Sequence, residues 1–237
     1  MLRCPAIFAT LALATVAPAF AAEPALLLPG EYPAGASGAH GGEDWLALVV
    51  DEEHSALVAT PVTVDAVADP VFGDAPGERV ATPGLDGQPL ALLHDMPLLR
   101  AGDVVTVLAE PKDLARDLPL MMFLNSAEAY RLTLDCGPMH ADRTRERCTL
   151  GFARGGQRQA LAQFEGTRVA SGRRALGVDA APALLWAGDV DRDGRLDLLL
   201  DLSDRYDLGA TSLFLSTAAG PGQLVGRSVT LAKRPGN

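Results

Sequence analysis

Four aspartates, Asp189, Asp191, Asp193 and Asp197, crowd into the run from Trp186 to Leu200 in the pattern D-x-D-x-D-G-x-x-D. The first three alternate along a tight loop so that their carboxylates converge. Gly194 permits the sharp turn, Arg195 offers its backbone carbonyl, and Asp197 closes the far side. Such an oxygen cage suits a hard cation that takes roughly six to eight oxygen ligands, and Ca2+ tolerates its irregular geometry better than Mg2+ does. Without an ion, carboxylates at contact distance repel one another or take up protons. The expected cofactor is Ca2+, bound as part of the fold; an Asp-rich turn that holds no ion is the alternative.

Counted from Asp189, the twelfth position is Leu200, where a helix-loop-helix calcium site carries a bidentate Glu. The flanks, Ala183 to Trp186 and Leu196 to Leu202, read as strands, so the site is strand-loop-strand. Gly188 through Leu198 match the G-D-x-D-x-D-G-x-x-D-L run position by position, and residues 183–202 resemble the calcium loops of FG-GAP and VCBS-type repeats, such as those of integrin α-subunit propeller blades. The resemblance implies calcium ligands at Asp189, Asp191, Asp193 and Asp197, with the Arg195 carbonyl between them. A propeller needs about four to eight blades, whereas the chain carries one such loop. The segment Val71 to Gly77 echoes the repeat's Phe-Gly and Ala-Pro signature but lies more than 100 residues upstream. The resemblance therefore covers the loop and not the propeller.

Other reactive side chains form weaker patterns. Asp201, Asp204 and Asp207 could furnish a carboxylate pair for glycosidase chemistry, so a secreted hydrolase acting on a glycan or another extracellular substrate is the alternative to a non-catalytic protein. His40, His54, His94 and His140 are scattered, with no H-E-x-x-H arrangement and no G-x-S-x-G elbow, and Ser126, Ser171 and Ser203 have no nucleophile context. Trp45 and Trp186 read as core residues. Arg143, Arg145, Arg147 and Arg154 could hold an anionic partner.

The first residues look like an address. Met1-Leu2-Arg3 is a positive start, Ile7 to Val16 is apolar, and Ala19-Phe20-Ala21 is a small-x-small cleavage pattern, which together predict a signal peptide over 1–21 and a periplasmic or secreted protein. Cleavage removes Cys4 and leaves Cys136 and Cys148, which in an oxidising compartment read as a disulfide, free buried thiols being the alternative. His140 between them does not complete a zinc site, because no fourth ligand stands nearby. No apolar run reaches the length of a membrane span.

The 237 residues carry a net charge of −10, which argues against a general nucleic-acid binder. The charge is uneven: 22–130 hold 18 acidic and 4 basic residues, whereas 131–174 hold 4 acidic and 9 basic. Positioning the loop are short aliphatic or β-branched runs separated by Gly, Pro and Asp: Trp45 to Val50, Ala56 to Val67, Pro89 to His94, Val104 to Ala109 and Leu120 to Leu124. Tyr130 to Asp135 alternates with Tyr130, Leu132 and Leu134 on one face, and Gly155-Gly156 suits a two-residue hairpin turn between Cys148 to Arg154 and Gln157 to Phe164. Only Pro111 to Leu118 reads as a helical turn. The expectation is an all-β protein of antiparallel sandwich or barrel-like sheets, with an extended Gly/Pro-rich arm over 22–42, an N-terminal β unit over 43–115 and a C-terminal β unit over 116–237 that carries the disulfide and the calcium loop. Its expected role is a non-catalytic interaction module with a protein or glycan partner.

Overall fold

The computed structural model describes residues 23–51, 54–68, 76–125, 128–139, 142–168, 174–176, 182–203 and 210–231. The expected signal segment, His140, Ser126 and Ser171 lie outside them, as does the echo over Val71 to Ala75. The described residues form an all-β fold with no helix.

Eight strands come first: β1 (Ala25–Leu27), β2 (Gly30–Pro33), β3 (Asp44–Val50), β4 (Ser55–Pro61), β5 (Thr63–Val67), β6 (Gly77–Ala81), β7 (Ala91–His94) and β8 (Gly102–Asp103). The middle of the chain supplies β9 (Val105–Leu108), β10 (Lys112–Asp113), β11 (Leu120–Met122), β12 (Tyr130–Met139), β13 (Asp142–Arg154), β14 (Gln157–Arg168) and β15 (Arg174–Leu176). The last four are β16 (Ala183–Asp189), β17 (Asp197–Asp201), β18 (Thr211–Leu215) and β19 (Gly226–Thr230). They assemble into a sheet of order β1-β7-β3-β4-β8, a small sheet β2-β6-β5, a sheet β11-β12-β13-β14-β15, and a sheet β10-β16-β17-β18-β19 in which β9 also pairs with β16.

Local sequence explains the clearest elements. In β12, Tyr130 and Leu132 are buried and Leu134 packs beside them, whereas Arg131 and Asp135 are exposed, as the two-residue period requires. β13 and β14 meet at the pair Arg154 and Gln157, with Gly155 at φ 56° in the turn between them. The run expected over Ala56 to Val67 divides at the fully buried Val62, whose amide donates to the Glu43 carbonyl at 3.1 Å. Residues 22–42, expected as an arm, supply β1 and β2, and Leu26, Leu27 and Tyr32 are core residues. The helical turn expected over Pro111 to Leu118 reduces to one turn after β10, closed by the Asp117 amide on the Asp113 carbonyl at 2.8 Å.

The sheet of β9, β10 and β16–β19 lies between two hydrophobic cores. Trp186, Leu199, Leu213 and Leu215 join the core built on β1 to β7, whereas Leu184, Leu198, Leu200 and Phe214 join the core built on β11 to β15. Alternate residues of one strand therefore serve opposite layers, and every residue of β17 and β18 is buried. The β9 and β10 strands precede the expected boundary near residue 115 yet pair with β16 beyond it.

Cys136 and Cys148 face each other in the β12–β13 register and form a disulfide. The bridge thus joins directly opposed residues within one hairpin. Trp45 and Trp186 are both buried; Trp45 stacks on His94 at 4.8 Å, and the Trp186 ring N–H donates to the Thr106 hydroxyl at 2.8 Å.

Candidate metal centre

The β16–β17 hairpin presents the aspartate loop. Asp189 ends β16 and Asp197 opens β17, where it sits opposite Gly188. Gly188 is dictated by space: a Cβ there would lie 2.2 Å from the Val105 carbonyl oxygen and 2.3 Å from the Trp186 ring. Within the loop, Arg192 and Gly194 adopt left-handed backbone, with φ of 63° and 78°. The loop is also fastened from outside, because the Arg192 guanidinium donates to the carbonyls of Asp103 at 2.7 Å and Arg100 at 3.0 Å.

Asp189, Asp191 and Asp197 each bring a carboxylate oxygen to within 4.8 Å of the others and could hold a metal ion. Asp193 stands beside this group, its Oδ1 accepting from the Arg195 amide at 2.8 Å and its Oδ2 from the Ser216 hydroxyl at 2.6 Å. The loop's own amides orient the ligands. Asp193 N and Gly194 N donate to the two oxygens of Asp189 at 3.0 and 2.9 Å, and Val190 N donates to Asp197 Oδ2 at 2.9 Å. A carboxylate has about four lone-pair sites, so these bonds leave room for a cation on each group.

A second contributor has no counterpart in the aspartate motif. Ser216 N donates to Asp197 Oδ1 at 2.7 Å, and the Thr217 hydroxyl donates to Asp191 Oδ2. Both residues sit immediately after β18, which pairs with β17, so the sheet itself delivers them. No spacing signal links Ser216 and Thr217 to a loop some twenty residues earlier; only the β17–β18 pairing could have found them.

Burial raises the energy of these charges. Asp197 has no solvent exposure, and its carboxyl is pushed up to about 8 by that burial, with the nearby Asp191 charge adding to it and the Ser216 and Val190 amides opposing it. Asp189 is shifted upward as well, first by burial and then by the Asp193 and Asp191 charges, against hydrogen bonds from Gly194 and Asp193. A divalent cation relieves both the repulsion and the desolvation.

Among the described residues, the remaining expected ones are not gathered into a second site. Cys136, Cys148 and the buried Glu146 lie together, but the two sulfurs are joined to each other. Asp201, the last residue of β17, accepts from the Ser203 amide at 3.0 Å and hydroxyl at 2.6 Å; Asp204 and Asp207 lie outside the described residues. Of the arginines expected to hold an anion, Arg145 pairs with Glu165, and Arg154 pairs with Glu128 at 3.0 Å while lying over the Tyr130 ring. His40 pairs with Glu43 at 3.1 Å, far in sequence from the loop. Among the described residues, no helix is long and apolar enough to cross a membrane. Protein-family models, curated proteins and solved structures all return no match to the chain.

Proposed function

We propose that the chain is an exported calcium-binding β-protein, a non-catalytic interaction module in which Ca2+ fixes the β16–β17 hairpin and the surface engages a protein or glycan. One observation carries the reading: three carboxylates, two of them buried, converge at the end of the β16–β17 hairpin, and the most buried, Asp197, is the one that a hard cation would stabilise most. The Arg195 carbonyl and the nearby Asp193 would complete the oxygen set, and the ion would supply rigidity there rather than reactivity. The Cys136–Cys148 bridge and the residues that resemble a signal peptide support an oxidising, periplasmic or secreted location.

Thermal melting in calcium and in chelator tests the reading. Asp191 is only partly buried, so Asp191→Asn removes a ligand charge with little effect on packing. The wild type should melt several degrees higher in calcium, and Asp191→Asn should lose most of that rise while keeping its melting temperature in chelator. Equal melting of the wild type in the two buffers would sink the proposal.

A further inference from the structure

The outer face of the β11–β15 sheet carries a groove of about 630 Å³, on the side turned away from the core. Its floor follows from the strand register. Arg131 lies opposite Ala153, and Ala153 lies opposite Arg158, so the two arginines flank a single methyl group across three strands. Directly opposed residues share a face and neighbouring strands lie roughly 5 Å apart, which puts the two arginine Cα atoms about 10 Å from each other. The next row is Thr133, Gly151 and Ala160, where a bulge between Leu150 and Gly151 shifts the pairing.

Charge gives the groove a direction. Arg131 and Arg158 are exposed, and neither has a carboxylate within ion-pairing distance among the described residues; the Arg131 Nε contacts only the Met121 sulfur, at 3.3 Å. Glu128 on the rim is already paired with Arg154. Beyond the arginines the floor offers the Thr133 and Thr149 hydroxyls and ends at Asp135, four residues along β12 from Arg131, or about 13 Å.

We propose that this groove binds an acidic saccharide, with Arg131 and Arg158 gripping a carboxylate or sulfate from both sides of Ala153 and the threonine and Asp135 oxygens meeting sugar hydroxyls. Two guanidinium forks converging on one anion give charge-assisted, directional bonds. A peptide fits less well. The strand amides are engaged in the ladder and cannot pair with an added strand, and the one exposed large apolar side chain lining the groove among the described residues, Met121, lies against the Arg131 guanidinium. The inference names the partner class of the interaction module proposed above and rests on that half of the reading, not on the ion.

Calorimetric titration of the full chain, in calcium and at low salt, tests it with polygalacturonate for the carboxylate, dextran sulfate for the sulfate, neutral dextran, and polyglutamate. Since the protein carries a net charge of −10, unspecific attraction to a polyanion is disfavoured. Binding to one of the two acidic polysaccharides and not to dextran is expected. Arg131→Gln and Arg158→Gln should each weaken it by about tenfold. Ala153→Leu keeps both charges but fills the space between them and should abolish binding, whereas Arg79→Gln, a surface arginine paired with Glu31 in another sheet, should leave it unchanged. No binding to either polysaccharide, tighter binding to polyglutamate, full affinity in the Arg131→Gln and Arg158→Gln variants, or equal loss in Arg79→Gln would each overturn the proposal. The calcium reading is judged by melting and this one by titration, so either can fail alone.

Discussion

Ser216 holds Asp197 in place: the amide of the first residue after β18 donates to Oδ1 of the first residue of β17, 2.7 Å away, while its hydroxyl reaches Asp193 at 2.6 Å. One residue thereby orients two of the four aspartates. Ser216→Ala keeps the amide and removes the hydroxyl. The expected outcome is a loss of about 1 kcal/mol in stability and a several-fold weaker calcium affinity, measured by melting and by titration. Unchanged calcium affinity would separate Asp193 from the ion.

The pH dependence has a definite sign. The Asp197 carboxyl moves from 3.8 up to about 8 on folding, so the metal-free fold binds a proton that the unfolded chain releases. This contribution to stability is complete below about pH 4 and is lost as pH rises through about 8. A cation needs the ionised carboxylate, so calcium affinity should weaken on acidification through the same window. Melting in chelator should fall, and the gain from calcium should grow, between about pH 5 and about pH 8; parallel curves in the two buffers would contradict this.

Gly188 and Gly194 should respond differently to alanine. At Gly188 the new methyl would overlap the Val105 carbonyl and the Trp186 ring, and a cost of at least about 2 kcal/mol is expected with or without calcium. At Gly194, φ is 78° and nothing lies within 4 Å, so the cost is the backbone strain alone, about 1 kcal/mol. Denaturant unfolding of the two variants reads the difference directly.

The Cys136–Cys148 bridge spans 12 residues of sequence, and closing a loop of that size contributes about 3 kcal/mol in the chain-entropy model. The Cys136→Ser, Cys148→Ser double variant should unfold at correspondingly lower denaturant. An identical midpoint would mean that the hairpin register already restricts the unfolded chain.

Much of this could be read from local patterns. The alternation of Tyr130 to Asp135 and the turn at Gly155 each encode their geometry within a few residues and appear in the fold, and of the D-x-D-x-D-G-x-x-D aspartates Asp189, Asp191 and Asp197 come together. What could not be read is carried by pairing between distant segments. Leu198-Leu199-Leu200 announces a buried strand, yet the two cores it serves are built with residues of β1 to β7 and of β11 to β15, far away in sequence. Ser216 and Thr217 reach the aspartates by the same route. Residues 22–42 read as an arm because Gly and Pro mask their periodicity, and only pairing with β6 and β7 reveals β1 and β2 as strands.

The two-sided central sheet sets an order of events for the newborn chain. Among the described residues, neither outer layer has a complete apolar floor until β16 to β19 arrive, and these are the last of the described strands to be made. The described strands before Ala183 therefore wait, partly open, for β16 to β19. A ribosome-held or truncated chain ending there should be protease-sensitive throughout, and the finished molecule should then close in one step, with the aspartate loop at the joint.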